Sequence, residues 1–309
     1  MTLTAIDKQL LLAVADLHEM PVGAYNIRKD GQGVARQSSA NIEIRPKTNP
    51  DQPGIDVLVK PGTKNESVHI PVIMTSTGMH DLVYNTFDIG EEADVLIVAG
   101  CGIHNAGCDS TQHDGIHDIL VRRGARLRYV EKHYGEGPGE GQRILNPQTI
   151  VTIEEGGFAE LELMQIKGVD STRRVTRVEV HERGGLKMVE KLLTHGQQMA
   201  ESKMEIVLMG DNSSAQVIAR SVAQEQSTQT FKASLVGIKA CRGHLECDSI
   251  IMDQARISAS PELKAEHTEA ELTHEAAIGK IAGDQLLKLM SLGLTEKDAV
   301  DTILNGFLS

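Results

Sequence analysis

Ala159-Glu160-Leu161-Glu162-Leu163 and Arg174-Val175-Thr176-Arg177-Val178-Glu179-Val180 alternate apolar with polar or charged residues at a period of two. In an extended chain that period puts the apolar side chains on one face and the charges on the other, so each strand needs one buried side. The same reading extends outward to residues 55–59, 69–74, 93–99, 125–130, 150–153, 186–189, 204–209, 231–238 and 246–252. These runs recur at intervals of about 10 to 17 residues, with few amphipathic helices between them. βαβ winding does not fit that spacing, and two mainly β architectures remain, a sandwich or a parallel β-solenoid. In a solenoid each turn buries its apolar face on the turns above and below, so weak and irregular repeats suffice.

Composition agrees. Aromatics are 3% of the 309 residues and Trp is absent, so the core is built from aliphatic side chains. Twenty-nine glycines against nine prolines point to many tight turns. A formal charge of −12 argues against nucleic acid, whose phosphates demand a basic surface. Met1 to Asp7 lacks the basic and apolar regions of a signal peptide, and no run of about 18 apolar residues occurs, so the expectation is a cytoplasmic protein that does not engage a membrane.

Three segments follow. Residues 1–54 hold an opening helix, marked by Ile6, Leu10, Val14 and Leu17, and then Gly-rich, irregular sequence. Residues 55–275 form the β core. Residues 276–309 are helical: Ile278, Ile281, Leu286, Leu289 and Met290 keep one stripe, and Gly293 stands where a helix ends. Thr295 and Asp298 make a capping-box-like start for a second stripe of Ala299, Val300, Ile303, Leu304 and Phe307. These stripes either complete the core or bind another chain.

Two concentrations of side chains carry chemistry. Near the end, Cys247 lies on a strand-like segment, and an extended 271–275 would send Glu271 and Glu275 to one face and His274 to the other. A soft thiolate suits iron, and a carboxylate is a harder, weaker partner, so mixed ligation favours a labile cluster. Glu275 as a helix cap and His274 as a core residue is the alternative. Upstream, Cys101, His104, Cys108, His113 and His117 follow C-x2-H-x3-C-x4-H-x3-H. That matches neither zinc-finger nor ferredoxin spacing; a zinc-dependent site or a set of turn residues each accounts for it. The run Gly135-Glu136-Gly137-Pro138-Gly139-Glu140-Gly141 is not a phosphate loop, since no Gly-Lys-Ser/Thr follows and its glutamates repel phosphate. No nucleophile elbow is present, and hydrolytic chemistry finds no support.

Cys247-Asp248-Ser249, Pro261, His274-Glu275-Ala276, Lys280-Ile281 with Asp284-Gln285-Leu286, Gly293 to Ala299 and Ile303 to Phe307 resemble the C-terminal core of the SufB/SufD family of iron-sulfur cluster scaffolds. Gly100-Cys101, His117 and Gly124 to Tyr129 resemble the SufB stretch in which Gly-Cys and a later His precede a strand opening with Gly-Ala. Coverage is about residues 50 to 309. The resemblance implies a right-handed parallel β-helix with a helical C-terminal end and dimerisation, here a homodimer, through the β-helix. It implies docking of a SufC-like ABC-type ATPase on the terminal helices, and a labile iron-sulfur cluster passed to apoproteins by a scaffold that is not itself an enzyme. Residue by residue it implies Cys247, Glu275 and His274 beside the cluster, with Glu271 partly replacing a family glutamate where Thr273 stands, and Cys101 as sulfur acceptor. The chain is shorter than typical SufB and looks like the compact type. A SufD-like structural partner without a cluster, or a zinc-dependent metalloprotein, are the alternatives.

Overall fold

The computed structural model describes residues 3–308; Met1, Thr2 and Ser309, which bound the expected terminal segments, lie outside them. Helix α1 (Ala5–Ala15) leads into β1 (Ala24–Lys29), β2 (Gln32–Gln37), β3 (Ile42–Pro46), β4 (Gly54–Val59) and β5 (Lys64–Met74). The chain continues through β6 (His80–Ile89), β7 (Asp94–His104), β8 (Thr111–Val121), β9 (Arg126–Glu136), β10 (Arg143–Leu145), β11 (Gln148–Ile153) and β12 (Phe158–Lys167). Next come β13 (Ser171–Val180), β14 (Gly185–Thr194), β15 (Met199–Leu208), β16 (Ser213–Ala223), β17 (Thr228–Gly237) and β18 (Cys241–Ile251). The last elements are β19 (Arg256–Ala265), β20 (Glu271–Gly279), α2 (Gly283–Ser291) and α3 (Glu296–Leu308).

Successive strands alternate between two ten-stranded sheets, in the orders β2-β1-β5-β7-β9-β12-β14-β16-β18-β20 and β19-β17-β15-β13-β10-β8-β6-β4-β3, with β11 beside β10 between β8 and β13. Every pairing is parallel except β1 with β2 and β3 with β4. Strands two apart in sequence therefore stack as rungs, which makes the fold a parallel β-solenoid and rules out the sandwich. The alternation in β13 works as its period requires: Thr172, Arg174, Thr176, Val178 and Val180 are buried, and the residues between them are not.

The corners repeat as well as the strands. Backbone bonds run from Gly62 to Glu91, Glu92 to Arg123, Gly124 to Glu155, Gly156 to Glu182, Arg183 to Asp211 and Asn212 to Ala240, each N–H donating to a carbonyl one turn on. The donor at each of these corners is left-handed, with φ from +54° at Arg183 to +71° at Gly62. Non-glycine residues occupy several of them at a steric cost that the corner bonds and packed rungs offset.

Inside, the two long sides of the solenoid differ. Val95, Ile97, Leu127, Tyr129, Leu161, Leu186, Met188, Val217 and Leu245 meet Phe87, Ile119, Val151, Val178, Ile206 and Leu235 in one continuous apolar core. On the opposite side, where strands of the first sheet end and those of the second begin, the buried positions turn polar.

The opening helix forms near its expected place. Thr4 and Asp7 complete a capping box, with Thr4 N donating to Asp7 Oδ2 at 2.9 Å and Asp7 N to Thr4 Oγ1 at 3.1 Å. Leu10 and Val14 bury against the outer face of β7, where the absence of side chains on Gly100 and Gly102 lets the helix lie flat. A Cβ on Gly100 would stand 2.7 Å from the Val14 carbonyl oxygen. The Gly-rich stretch after α1 is not irregular throughout, because β1 pairs with β5 and carries β2 on its other edge, while β3 pairs with β4. The helical reading after Glu275 also starts too early. Glu271 to Gly279 pairs in parallel with Arg242 to Ile250, so Ile278 belongs to β20, and Ile281 precedes α2. Gly293 does take φ +99° between the two helices, and Asp298 N donates to Thr295 Oγ1 at 3.2 Å at the start of α3.

One corner tests this account. Gly156 has φ +67° and nothing within 4 Å of a Cβ built on it, so only backbone strain opposes a side chain there. Gly156→Val is expected to cost about 1–2 kcal/mol of unfolding free energy in chemical denaturation.

Candidate functional site

Strand register turns each buried position into a column running along the solenoid. On the first sheet one column reads Cys101, His133, Gln165, Leu192, Ser221, Ser249, and its neighbour reads Ala99, Glu131, Leu163, Glu190, Ala219, Cys247. Facing them from the second sheet are Asp81, Asn85, His113, His117, Thr172, Arg174, Ser202 and Gln229, all buried. Cys101 and Cys247 thus lie on the inner face of one sheet, five strand spacings apart, or about 24 Å. Polar side chains line the space between them.

The middle of that row is ionic. Arg174, 3% exposed, donates from Nη1 to Glu131 Oε1 at 2.7 Å and lies 3.5 Å from Glu190. Tyr129 donates to Glu131 Oε2 at 2.7 Å, Ser202 donates to Glu190 Oε2 at 2.8 Å, and Arg174 Nη2 stands 3.2 Å from His133 Nδ1. Burial works against the Glu131 charge, but Arg174 and the histidines hold its carboxyl well below the usual range. Glu190 goes the other way: burial raises it, only partly offset by Arg174 and Ser202. Burial also depresses His117 to about 4 and His133 to about 3. Neutral His117 fits its partners with the proton on Nδ1, 2.5 Å from Tyr129 Oη, and Nε2 accepting from Asn85 at 3.3 Å.

Both cysteines on the row are protonated at rest. Cys101, 2% exposed, has its thiol raised far above the ordinary value, chiefly by burial. It lines a narrow space of about 20 Å³ with Asn85, His113, His117, Glu131 and His133. Cys247 is pushed up to about 12 by burial and then by the carboxylates of Glu190, Asp248 and Glu246. It lines a second narrow space of about 20 Å³ with Glu190, Ser202, Gln229 and Phe231. A thiol becomes a metal ligand only as thiolate, so a cation arriving beside Cys247 must displace the proton.

The candidate ligands divide between the two faces of the last rung. Cys247 pairs with Ala276 and Leu245 with His274, so His274 shares the inner face with Cys247. Arg242 pairs with Glu271 and Glu246 with Glu275, so both glutamates lie on the outer face, and a single chain does not bring Cys247 and Glu275 together. His274, Glu275 and Glu271 are all exposed on β20, the outermost strand of its sheet. Upstream, Cys101, His113 and His117 face inward, whereas Cys108 is exposed in a turn and His104 lies on the outer face near Glu136, at 3.3 Å. The five residues read as a zinc set therefore do not converge, because their strands alternate faces. Among the described residues no three His, Cys, Asp or Glu side chains stand close enough to hold a metal ion. Spacing missed the buried ionic row because its members are scattered one or two to a strand; the isolated charge of Arg174 among the apolar positions of β13 was its one trace.

The terminal helices also divide. Ala299 and Leu304 are buried, and Arg220 lies over the Phe307 ring at 6.0 Å, so part of the α3 stripe joins the body of the protein. Val300 and Ile303 are half-buried, as are Leu286 and Leu289 of α2. No residue of α2 is fully buried, and Leu287, Met290 and Leu292 remain open. Leu287 and Leu292 fell outside the expected stripe.

The model of the SUF system FeS cluster assembly SufBD core domain matches residues 73–307. An iron-sulfur cluster assembly SufBD family protein of Archaeoglobus fulgidus is 28% identical over 227 residues, covering 73% of this chain and 60% of the relative. One from Methanocaldococcus jannaschii is 22% identical over 289 residues, covering 93% and 90%. The iron-sulfur cluster assembly protein SufB of Bacillus subtilis is 26% identical over 226 residues, covering 71% and 47%. The chain spans between about half and three-fifths of the length of several curated relatives.

The buried histidines set a pH dependence. Folding holds His117 and His133 well below 6.5, so between pH 6.5 and about 4 the unfolded chain binds more protons and stability rises with pH. Each contributes at most about 1.4 kcal/mol per pH unit. Glu190, raised above 4.5, opposes this, its stabilising contribution being complete below 4.5 and lost as pH rises. Unfolding free energy measured by denaturant titration is expected to fall from pH 6.5 to 4.5, less in His133→Gln and more steeply in Glu190→Gln.

Proposed function

The chain belongs to the SufB/SufD family of iron-sulfur cluster assembly proteins, and from that premise we propose that it is the scaffold subunit, holding a labile iron-sulfur cluster and passing it to apoproteins. The observation that carries this reading is the inner sheet face that bears Cys101 near one end, Cys247 near the other and a polar lining between. An apolar solenoid needs no such lining, and a buried ion pair is weak support for stability. Iron and sulfide are the cargo. Cys101 accepts sulfur, the polar row leads toward the far end, and Cys247 supplies the soft thiolate, with His274 on the same face.

Glu275 and Glu271 reach the cargo only if β20, which has a single neighbour, twists away from β18, or if a second copy supplies them. β19 and β20 end their sheets with unpaired backbone edges, which suits a homodimer formed through the solenoid. The separation of Cys247 from Glu275 favours one alternative, a SufD-like partner that supports assembly without holding the cluster.

The energy for transfer comes from a SufC-like ABC-type ATPase docked on the terminal helices. The open side chains of Leu287, Met290 and Leu292 support this. Among the described residues no helix is long and apolar enough to cross a membrane.

Anaerobic reconstitution with ferrous iron and sulfide separates the readings. The wild type is expected to gain a visible chromophore with iron and sulfide in step, Cys247→Ser to lose it, and Glu275→Ala to release iron faster to a chelator. A wild type that stays colourless leaves the SufD-like reading, and stoichiometric zinc without sulfide points to the metalloprotein. In a second experiment, Leu287→Asp with Leu292→Asp is expected to abolish co-purification of the ATPase while leaving the solenoid folded; undiminished capture would remove the helices from the interface.

A further inference from the structure

Cys101 is sealed from the sides of the solenoid, yet it lies close to one end. Register places Gly33 beside Arg28, Arg28 beside Val72, Val72 beside Cys101 and Cys101 beside His133, in one column. Arg28 is therefore two strand spacings from Cys101, about 10 Å, whereas Cys247 is five away. β1 presents Ala24 to the apolar core, and its next inward positions, Asn26 and Arg28, line an open recess of about 780 Å³. The hairpin partner β2 adds Gly33 and Arg36. Ile70, Val72 and Asn85 line both this recess and the space around Cys101, and Asp81 bridges Arg28 of the recess to His113 of the inner space.

The recess is positively biased on a chain of net charge −12. No carboxylate lines it. Arg28 is held by Asp81 through two bonds, 2.8 and 2.7 Å, with His113 Nδ1 3.3 Å from the same carboxylate on the inner side. Arg36 is exposed and has no ion-pair partner among the described residues. Charge at the mouth of a cleft with low-dielectric walls raises the local concentration of the opposite ion.

We propose that this recess is the opening through which a small anion carrying sulfane sulfur, a hydropolysulfide, reaches Cys101: the Cys101 sulfur bonds to the anion's terminal sulfur, the S–S bond behind that sulfur breaks, and the remaining sulfur leaves as hydrosulfide with the thiol proton. The proposal rests on Cys101 as the sulfur acceptor. Arg36 attracts the anion, Asn26 and Asn85 offer amide donors, and Val72 with its two neighbours limits the size of what passes.

The test is modification of Cys101 in the folded full-length chain by iodoacetate and iodoacetamide, which differ in charge and hardly in size, read by peptide mass spectrometry. Exposed Cys108 is the internal reference. The iodoacetate-to-iodoacetamide rate ratio is expected to be about tenfold higher at Cys101 than at Cys108, to fall to the Cys108 ratio or below in Arg36→Glu, and to shrink with added salt. Gly33→Phe, placed where nothing lies within 4 Å of a Cβ, is expected to slow both reagents at Cys101 and neither at Cys108. Val72→Ala is expected to speed both. A Cys101 that resists both reagents until the chain unfolds, equal ratios at the two cysteines, or labelling indifferent to Gly33→Phe would overturn the proposal. So would reaction with a polymer-linked maleimide at the Cys108 rate, which indicates an opening wide enough for a protein-borne donor. Cluster loading by Cys101→Ser is measured separately, so a closed recess and an idle Cys101 give different results.

Discussion

Every rung of the solenoid hands its backbone N–H and C=O groups to the rungs above and below, and everything else in the structure follows from that parallel register. A side chain on an inner position cannot slide or turn outward without breaking a row of bonds on both sides. Columns are therefore as rigid as the ladder. Glu131 can carry a charge in the interior only because Arg174, from the facing sheet, is held within 2.7 Å of it. An unpaired carboxylate at that depth would be neutral or would unfold its surroundings.

The columns also separate two tasks. One side of the interior is apolar, and the hydrophobic effect acts there; the other is polar and contributes less to cohesion. Proteins retain such polar rows at a cost to stability, a cost that on the proposed function serves what the interior handles. The neutral histidines are part of the same arrangement: burial keeps His117 and His133 uncharged at physiological pH, so they accept and donate hydrogen bonds without adding positive charge beside Arg174.

Much of this was legible in the amino-acid order. The alternation in β12 and β13, the shortage of aromatics and the wealth of glycine led to short strands, and the residues from Cys247 to Phe307 led to the family. Some of the strands that escaped have inner positions that are not apolar. β8 buries Thr111, His113, Gly115 and His117, so its period of two is invisible to a hydrophobicity scale and its histidines looked like a metal cluster. The end of β20, residues 276–279, escaped because it is exposed and contains alanine and isoleucine at helical spacing, while its pairing with β18 is a tertiary fact. For the site, residue identity named Cys101 and Cys247, but which face each ligand occupies follows from register. That is why Glu275 and Cys247, close in family pattern, stand on opposite sides of one sheet.

The seat of α1 on β7 has a mechanical consequence. The wall that carries the Cys101 thiol is a single backbone thick at Gly100 and Gly102, with the helix pressed directly on its outer side and the interior chamber on the other. Only the helix's own Leu10 and Val14 side chains lie between the two. A force that lifts or tilts α1 therefore acts on the thiol's own peptide units, and the outside of the protein is coupled to its interior at the point where the Cys101 thiol sits.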